Sequence, residues 1–186
     1  DYNNTGAASG TYPIGTTVVT WVATDAAGNT DTCAINITVE DNEAPVAVCN
    51  DITVFLNSSG IVFVTAADLD GGSSDACGIA SITTDAFVYG CGNVGPNTAT
   101  LPVTDVNGNE STCTSQVTFE DNMAPTAVCQ DITVQLDANG QAGITATDGD
   151  GGSTDNCDVA LSAIPTSFDC SNVGPNSVTL TATDPS

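Results

Sequence analysis

A stretch of this chain returns after 80 residues: Glu40-Asp41-Asn42, one spacer and Ala44-Pro45-Val46-Ala47-Val48-Cys49 come back as Glu120-Asp121-Asn122, one spacer and Ala124-Pro125-Thr126-Ala127-Val128-Cys129. A fixed period of this size marks tandem units that each meet only their neighbours, an organisation suited to mechanical or adhesive work. Asp25, Asp105 and Asp184 hold one place in successive periods, and Asn93-Val94-Gly95-Pro96-Asn97 returns as Asn172-Val173-Gly174-Pro175-Asn176. Cys157 and Cys170 stand one position closer together than Cys77 and Cys91, so a one-residue deletion lies between them. The alignment predicts the closing part of a module at 1–45, a complete module at 46–125 and the opening part of another at 126–186. With no initiator Met and no signal peptide, the chain reads as a segment of something longer.

Within a period the apolar residues alternate with a step of two: Val19, Trp21, Ala23; Ile52, Val54, Leu56; Leu101, Val103; Val178, Leu180, Ala182. Thr fills most of the opposite face, and Asn, Asp, Gly and Pro punctuate the runs. No helical period occurs. The expected fold is all-β: tandem immunoglobulin-like β-sandwich modules of about 80 residues, end to end. Pro102 fits poorly inside a central strand and predicts a bulge or an edge.

Composition narrows the chemistry. The 186 residues include no Lys, Arg or His against 23 acidic residues, a formal charge of −23. No side-chain salt bridge can form. Nucleic acid and anionic membrane surfaces, which are bound through Lys and Arg, would be repelled everywhere. No apolar run approaches the length of a membrane span, so no membrane insertion is expected. A Ser/His/Asp relay, a Schiff-base lysine and an arginine clamp are all impossible, and zinc sites built on His are gone too. Only a glycosidase-like carboxylate pair stays within reach, and nearly every acidic residue here belongs to a repeated loop rather than to a unique cleft. No enzyme activity is expected.

The eight cysteines recur four to a period, with no basic neighbours to make a reactive thiolate. That pattern predicts disulfides and an oxidising, extracellular compartment. The cores are thin, with few aromatics and many Ala and Thr, so disulfides and ions are expected to supply stability that burial does not.

Asp51-Ile52-Thr53-Val54 just after a cysteine, and Thr24-Asp25-Ala26-Ala27-Gly28-Asn29 followed by Cys33 and Ile35-Asn36-Ile37-Thr38-Val39, resemble the hyalin repeat (HYR). The resemblance implies an immunoglobulin-like sandwich of the kind found in extracellular adhesion proteins and long secreted surface proteins of bacteria. Hyalin repeats commonly carry basic residues and an aromatic before a Gly-Thr-Thr turn; here Tyr12-Pro13-Ile14-Gly15-Thr16-Thr17 keeps that turn in the first module alone. Glu40-Asp41-Asn42-Glu43-Ala44-Pro45 is also similar to the junction of cadherins, where calcium stiffens successive domains.

In an immunoglobulin-like sandwich the first strand starts at the pole to which the second-to-third and the last loops return. Asp68, Asp70 and Asp75 are assigned to the first of these loops, Asp105 and Asn109 to the other, and both then face the linker Glu40, Asp41 and Asn42. Glu120, Asp121, Asn122, Asp148, Asp150 and Asp184 repeat the set. Such gathered oxygens, with no cationic side chain to offset them, suit Ca²⁺, which takes six or more oxygen ligands; Mg²⁺ prefers to keep its waters. The competing reading is that Asp, Asn and Gly are here as turn formers with solvated charges.

The same topology bears on the cysteines. Cys33 begins a strand that runs about 24 Å before the linker starts, too far to reach Cys49. Cys49 and Cys113 lie near the starts of the first and last strands, which run parallel. The expected pairs are Cys49–Cys113, Cys77–Cys91 and Cys157–Cys170. Cys33 and Cys129 are left as complementary halves of one inter-module or inter-chain bridge, closed by continuation of the array or by an identical subunit. In the second case residues 1–26 duplicate 160–185, so one strand would have to be displaced.

Asn3, Asn36, Asn57 and Asn109 satisfy the Asn-x-Ser/Thr acceptor pattern and are the expected points of sugar attachment. The function expected from all this is a calcium-stiffened, disulfide-stapled rod or filament of a secreted or cell-surface adhesin. Its partners would be neighbouring repeats or identical subunits end to end, or surface glycans. The alternatives are a carbohydrate- or protein-binding spacer attached to a secreted enzyme, or a strand-exchanging fibre subunit.

Overall fold

The structure is a computed structural model of the chain, and it describes residues 10–84 and 88–186. Strands dominate, as the two-residue alternation requires. The described residues group into two compact units.

The first unit takes the chain up to Val46 together with Ser74–Ser81 and Val103–Ser111. It contains the hairpin of β1 (Gly15–Thr24) and β2 (Thr30–Val39), paired antiparallel from Gly15↔Val39 to Thr24↔Thr30. The turn is set by Asp25. Its carboxylate accepts the backbone N–H groups of Ala27 and Asn29, each at 2.8 Å, while Gly28 supplies a left-handed backbone at φ 90°. An Asp that captures donors two and four residues on nucleates the turn, and glycine adopts the positive φ without steric cost.

The second unit comprises Ala47–Ser73, Ile82–Pro102 and Thr112–Ser186. It includes β3 (Ile52–Phe55) and β4 (Ile61–Phe63), followed by a single helical turn, α1 (Ala66–Leu69). Next along the chain come β5 (Ile79–Ile82), β6 (Val88–Gly90), β7 (Gly95–Asp105) and β8 (Glu110–Glu120). The four-stranded sheet has the order β3-β8-β7-β5, with β3 parallel to β8 in the register Ile52↔Val117 to Phe55↔Glu120. β4 pairs with β6 as a separate ribbon. Alternate residues of β7 and β8 face inward, so Ala99, Leu101, Val117 and Phe119 join Val64 and Leu69 in one core. The rings of Tyr89 and Phe119 stack with centroids 4.3 Å apart.

Pro102 sits within β7, which lies between β8 and β5. The edge position expected for it is not observed. Its carbonyl still accepts the N–H of Thr83 at 3.0 Å, so the missing donor does not cost the strand its neighbour there.

The last stretch contributes β9 (Gln141–Gly143), β10 (Ala160–Ile164), β11 (Ser167–Asp169) and β12 (Thr179–Thr183). β10 pairs with β12, and β9 with β11. Local features return at the sequence period: the bridges Val46↔Ser74 and Cys49↔Asp70 reappear as Thr126↔Thr154 and Cys129↔Asp150. One element does not return. Asp131-Ile132-Thr133-Val134 repeats the β3 sequence, yet Ile132–Gln135 forms no strand.

Candidate functional site

Two groups of acidic side chains stand out, one in each unit. In the first, carboxylate oxygens of Asp41 and Asp75 and the Sγ of Cys77 all lie within 4.8 Å of one another. Asp41 follows β2, and Asp75 and Cys77 lie in the loop between α1 and β5. That loop is held by Asp75, whose Oδ1 accepts the N–H groups of Cys77 at 2.7 Å and Gly78 at 3.0 Å. The turn after β7 reaches the same place: Asn107 Nδ2 donates to Asp41 Oδ2 at 2.7 Å, and Asn109 Nδ2 to the Asp41 carbonyl at 3.1 Å.

The Cys77 thiol donates to Asp41. This hydrogen bond, with the Glu43 N–H, holds the Asp41 carboxyl below its usual range; the nearby Asp105 charge opposes it weakly. In return the Asp41 carboxylate pushes the thiol up, so Cys77 stays protonated.

The second group joins Asp121, Asp155 and Asp184, again with one oxygen from each within 4.8 Å. Asp121 Oδ1 accepts the Met123 N–H at 3.1 Å and the Asn156 Nδ2 at 3.0 Å, and Asp184 accepts the Ser186 N–H at 2.8 Å. One oxygen of Asp121 and one of Asp155 are shielded from solvent with no hydrogen-bond partner among the described residues. A buried carboxylate oxygen without a donor is costly, and three carboxylates together are more so. No cationic side chain exists in this chain to relieve them. An all-oxygen group of this kind suits a hard divalent cation such as Ca²⁺. The first group fits it less well, because a thiol is a soft donor.

The other expected ligands lie elsewhere, for a common reason: each is occupied by donors a few residues away. Asp68 reaches back to Thr65, accepting its N–H at 2.8 Å and its hydroxyl at 2.7 Å, and Asp148 does the same with Thr145 at 2.7 Å for both. Both are turn-capping carboxylates. Asp70 and Asp150 accept the N–H of Ser73 and of Ser153, each at 2.8 Å.

Asp105 is 1% exposed. Its Oδ1 takes the N–H groups of Asn107 and Asn109, and its Oδ2 the Asn109 side chain, all at 2.8 Å, so it closes its own turn as Asp25 does. Glu40, Asn42, Glu120 and Asn122 are exposed. Of the expected set, Asp41, Asp75, Asp121 and Asp184 are therefore gathered. Asp155 was missed although it stands 80 residues after Asp75, a signal the repeat already contained. Cys77 was read only as a bridge partner.

The disulfides also rearrange the expectation. Cys49 is bonded to Cys113, with Cα atoms 5.8 Å apart. Cys91 is bonded to Cys157, not to Cys77, and Cys170 is not bonded to Cys157. Cys33, Cys77, Cys129 and Cys170 are free and exposed. The strand β5 carries the chain away from Cys77, while Cys91 Sγ lies 3.6 Å from the Gly60 carbonyl and 3.6 Å from that of Asn156, which delivers Cys157.

Asn3 lies outside the described residues. Asn36 and Asn57 are exposed, whereas the side-chain nitrogen of Asn109 is engaged by Asp41 and Asp105 and is poorly placed to accept a sugar. No helix among the described residues is long and apolar enough to cross a membrane.

No curated protein matches the chain. Among solved structures it is similar to the extracellular cadherin domains 1–4 of protocadherin gamma B7, at 16% identity and a TM-score of 0.31, over 91% of this chain and 49% of that one. The chain thus spans about half the length of that structure. Residues 3–39, the stretch holding the β1–β2 hairpin and its Asp25 turn, match the HYR domain, an immunoglobulin-like domain of adhesion type.

Proposed function

We propose that this chain is a structural, non-catalytic stretch of an extracellular adhesion-type protein, built from sandwiches of about 80 residues. A calcium ion held by Asp121, Asp155 and Asp184 stiffens it, with Asp41 and Asp75 forming a weaker counterpart. The observation that carries this reading is the pair of shielded, donorless oxygens on Asp121 and Asp155 inside an all-carboxylate group. The HYR match over residues 3–39 supports the adhesion class, and the two disulfides support an oxidising location. With no Lys, Arg or His anywhere, the chain has none of the usual proton-shuttling or phosphate-binding groups.

Binding of a cation to the folded state alone raises stability by mass action. Thermal unfolding and sedimentation of the full chain in calcium and in EGTA test the proposal. A higher midpoint and a longer, stiffer particle in calcium are expected; identical behaviour in both buffers rejects it.

A further inference from the structure

An unfilled place in the sheet of 126–186 points to its own occupant. β12 pairs with β10 along one edge, as β7 lies beside β5. The other edge of β7 is covered by β8, which also pairs with β3. Among the described residues no strand covers the other edge of β12, and Ile132–Gln135 stays unpaired despite carrying the β3 sequence. Ile132 and Val134 are 40% and 43% exposed. Between them and β12 lies a groove of ≈ 840 Å³, lined by Ile132, Val134, Leu136, Ile144, Phe168 and Leu180 among others. Its counterpart in 46–125 is filled by Val117 and Phe119 of β8, both fully buried.

The chain holds one other strand with the pattern of β8, and that is β2. Cys33 stands where Cys113 stands, and Ile35, Ile37 and Val39 fall at the inward places of Ser115, Val117 and Phe119. β2 is held only in a two-stranded hairpin with β1, where Ile35 is 43% exposed. Isolated two-stranded hairpins are marginally stable.

The free thiols select the source of the strand. Cys129 stands where Cys49 stands, so its partner is the counterpart of Cys113, which is Cys33. Cys170 stands where Cys91 stands: each opens a short 3₁₀ turn, and each Sγ approaches a glycine carbonyl, Gly140 at 3.8 Å and Gly60 at 3.6 Å. Its partner is the counterpart of Cys157, which is Cys77. Within one chain Cys77 cannot repeat the Cys91–Cys157 bond, because Thr11 occupies the place of Cys91, four residues before a glycine with φ 102° in both cases. A preceding copy brings Cys170 to that place.

We propose that copies of this chain join head to tail by strand completion. β2 of one copy enters the groove of 126–186 of the next, parallel to Ile132–Gln135 and beside β12, releasing its own β1. Cys33 of one copy then bonds to Cys129 of the other, and Cys77 to Cys170. Each bond forms from two thiols. The two electrons pass to a small disulfide such as oxidised glutathione, which leaves as two thiols carrying the two protons. The inference takes only an oxidising compartment from the reading above; calcium plays no part in it, so its failure leaves the cation proposal standing.

The test is to refold an equal mixture of ¹⁵N-labelled and unlabelled full chain in a glutathione redox buffer, digest it at acidic residues and identify the linked peptides by mass spectrometry. Cys33–Cys129 and Cys77–Cys170 peptides are expected, with mixed-isotope pairs as frequent as random pairing gives and with particles larger than a monomer. Ile37→Asp, which puts a charge into the groove, should lower the Cys33–Cys129 yield about tenfold or more while Cys49–Cys113 and Cys91–Cys157 persist. Isotopically pure linkages, four thiols still free after oxidation, or native material in which Cys129 is joined to a segment outside this sequence would each overturn the proposal.

Discussion

Cys91 and Cys157, 66 residues apart, are bonded across the boundary of the sequence repeat, with Cα atoms 5.5 Å apart. Gly60 makes room for this joint. A Cβ there would lie 2.5 Å from the Asn156 carbonyl oxygen and 2.7 Å from Cys91 Sγ, and the position also has a positive φ of 68°. Closing a loop of this length restricts the unfolded chain, and the loss is worth about 3–4 kcal/mol. Replacing Cys91 and Cys157 by Ser should lower stability in guanidinium titrations by that amount. An unchanged midpoint would mean that the bridge is not formed in solution.

The core of 46–125 hangs on Phe119, fully buried and stacked on Tyr89. Phe119→Ala should cost about 3–5 kcal/mol, read as a shift in the denaturant midpoint. Val18→Ala, at a position 62% exposed on β1, should change stability by less than about 0.5 kcal/mol. Equal effects at the two sites would contradict this placement of the core.

Acid should destabilise the protein late. The Asn29 side chain and backbone hold the Asp25 carboxyl below its ordinary range, and the N–H groups of Gln141 and Asn139 do so for Asp137. At Asp105 burial pushes the carboxyl up, but the Asn109 side chain and the turn N–H groups outweigh it and the net direction is down. Carboxyls with a lower pKa folded than unfolded stabilise the fold above the unfolded value of about 4, and that contribution is lost as pH falls through the folded value. Urea midpoints should therefore hold as pH drops towards about 4 and decline below it. Stability rising steadily to the lowest pH would refute this account of the turns.

Cys77 gives a local probe of the first acidic group. Because Asp41 raises the thiol pKa, Asp41→Asn in reduced monomer should increase the rate of Cys77 alkylation by iodoacetamide at mildly alkaline pH, since the thiolate is the nucleophile. A rate that does not respond would separate the two side chains in solution.

Much of this was legible in the sequence, and the failures share a cause. The two-residue alternation gave strands, and the parallel first and last strands of a sandwich brought Cys49 to Cys113. Repetition cannot by itself separate a ligand from a turn residue, because both recur with the same period. Asp68, Asp70 and Asp105 were indistinguishable from Asp41 and Asp75 until the nearby donors Thr65, Ser73 and Asn109 were seen to occupy them. Likewise a pairing within a period and one between periods leave the same cysteine spacing, so Cys91 was matched to Cys77 where the three-dimensional neighbour is Cys157. Ile132 shows the limit from another side: its tetrapeptide is that of β3, and only the presence of β8 makes one a strand and not the other.

The central claim is a cation at Asp121, Asp155 and Asp184, and calorimetric titration of calcium into the metal-stripped chain tests it most directly. Saturable heat is predicted for the parent protein, with the tightest step abolished by Asp155→Asn and retained in Asp68→Asn, whose carboxylate serves only its own turn. No heat in the parent, or the same isotherm in both variants, would contradict it.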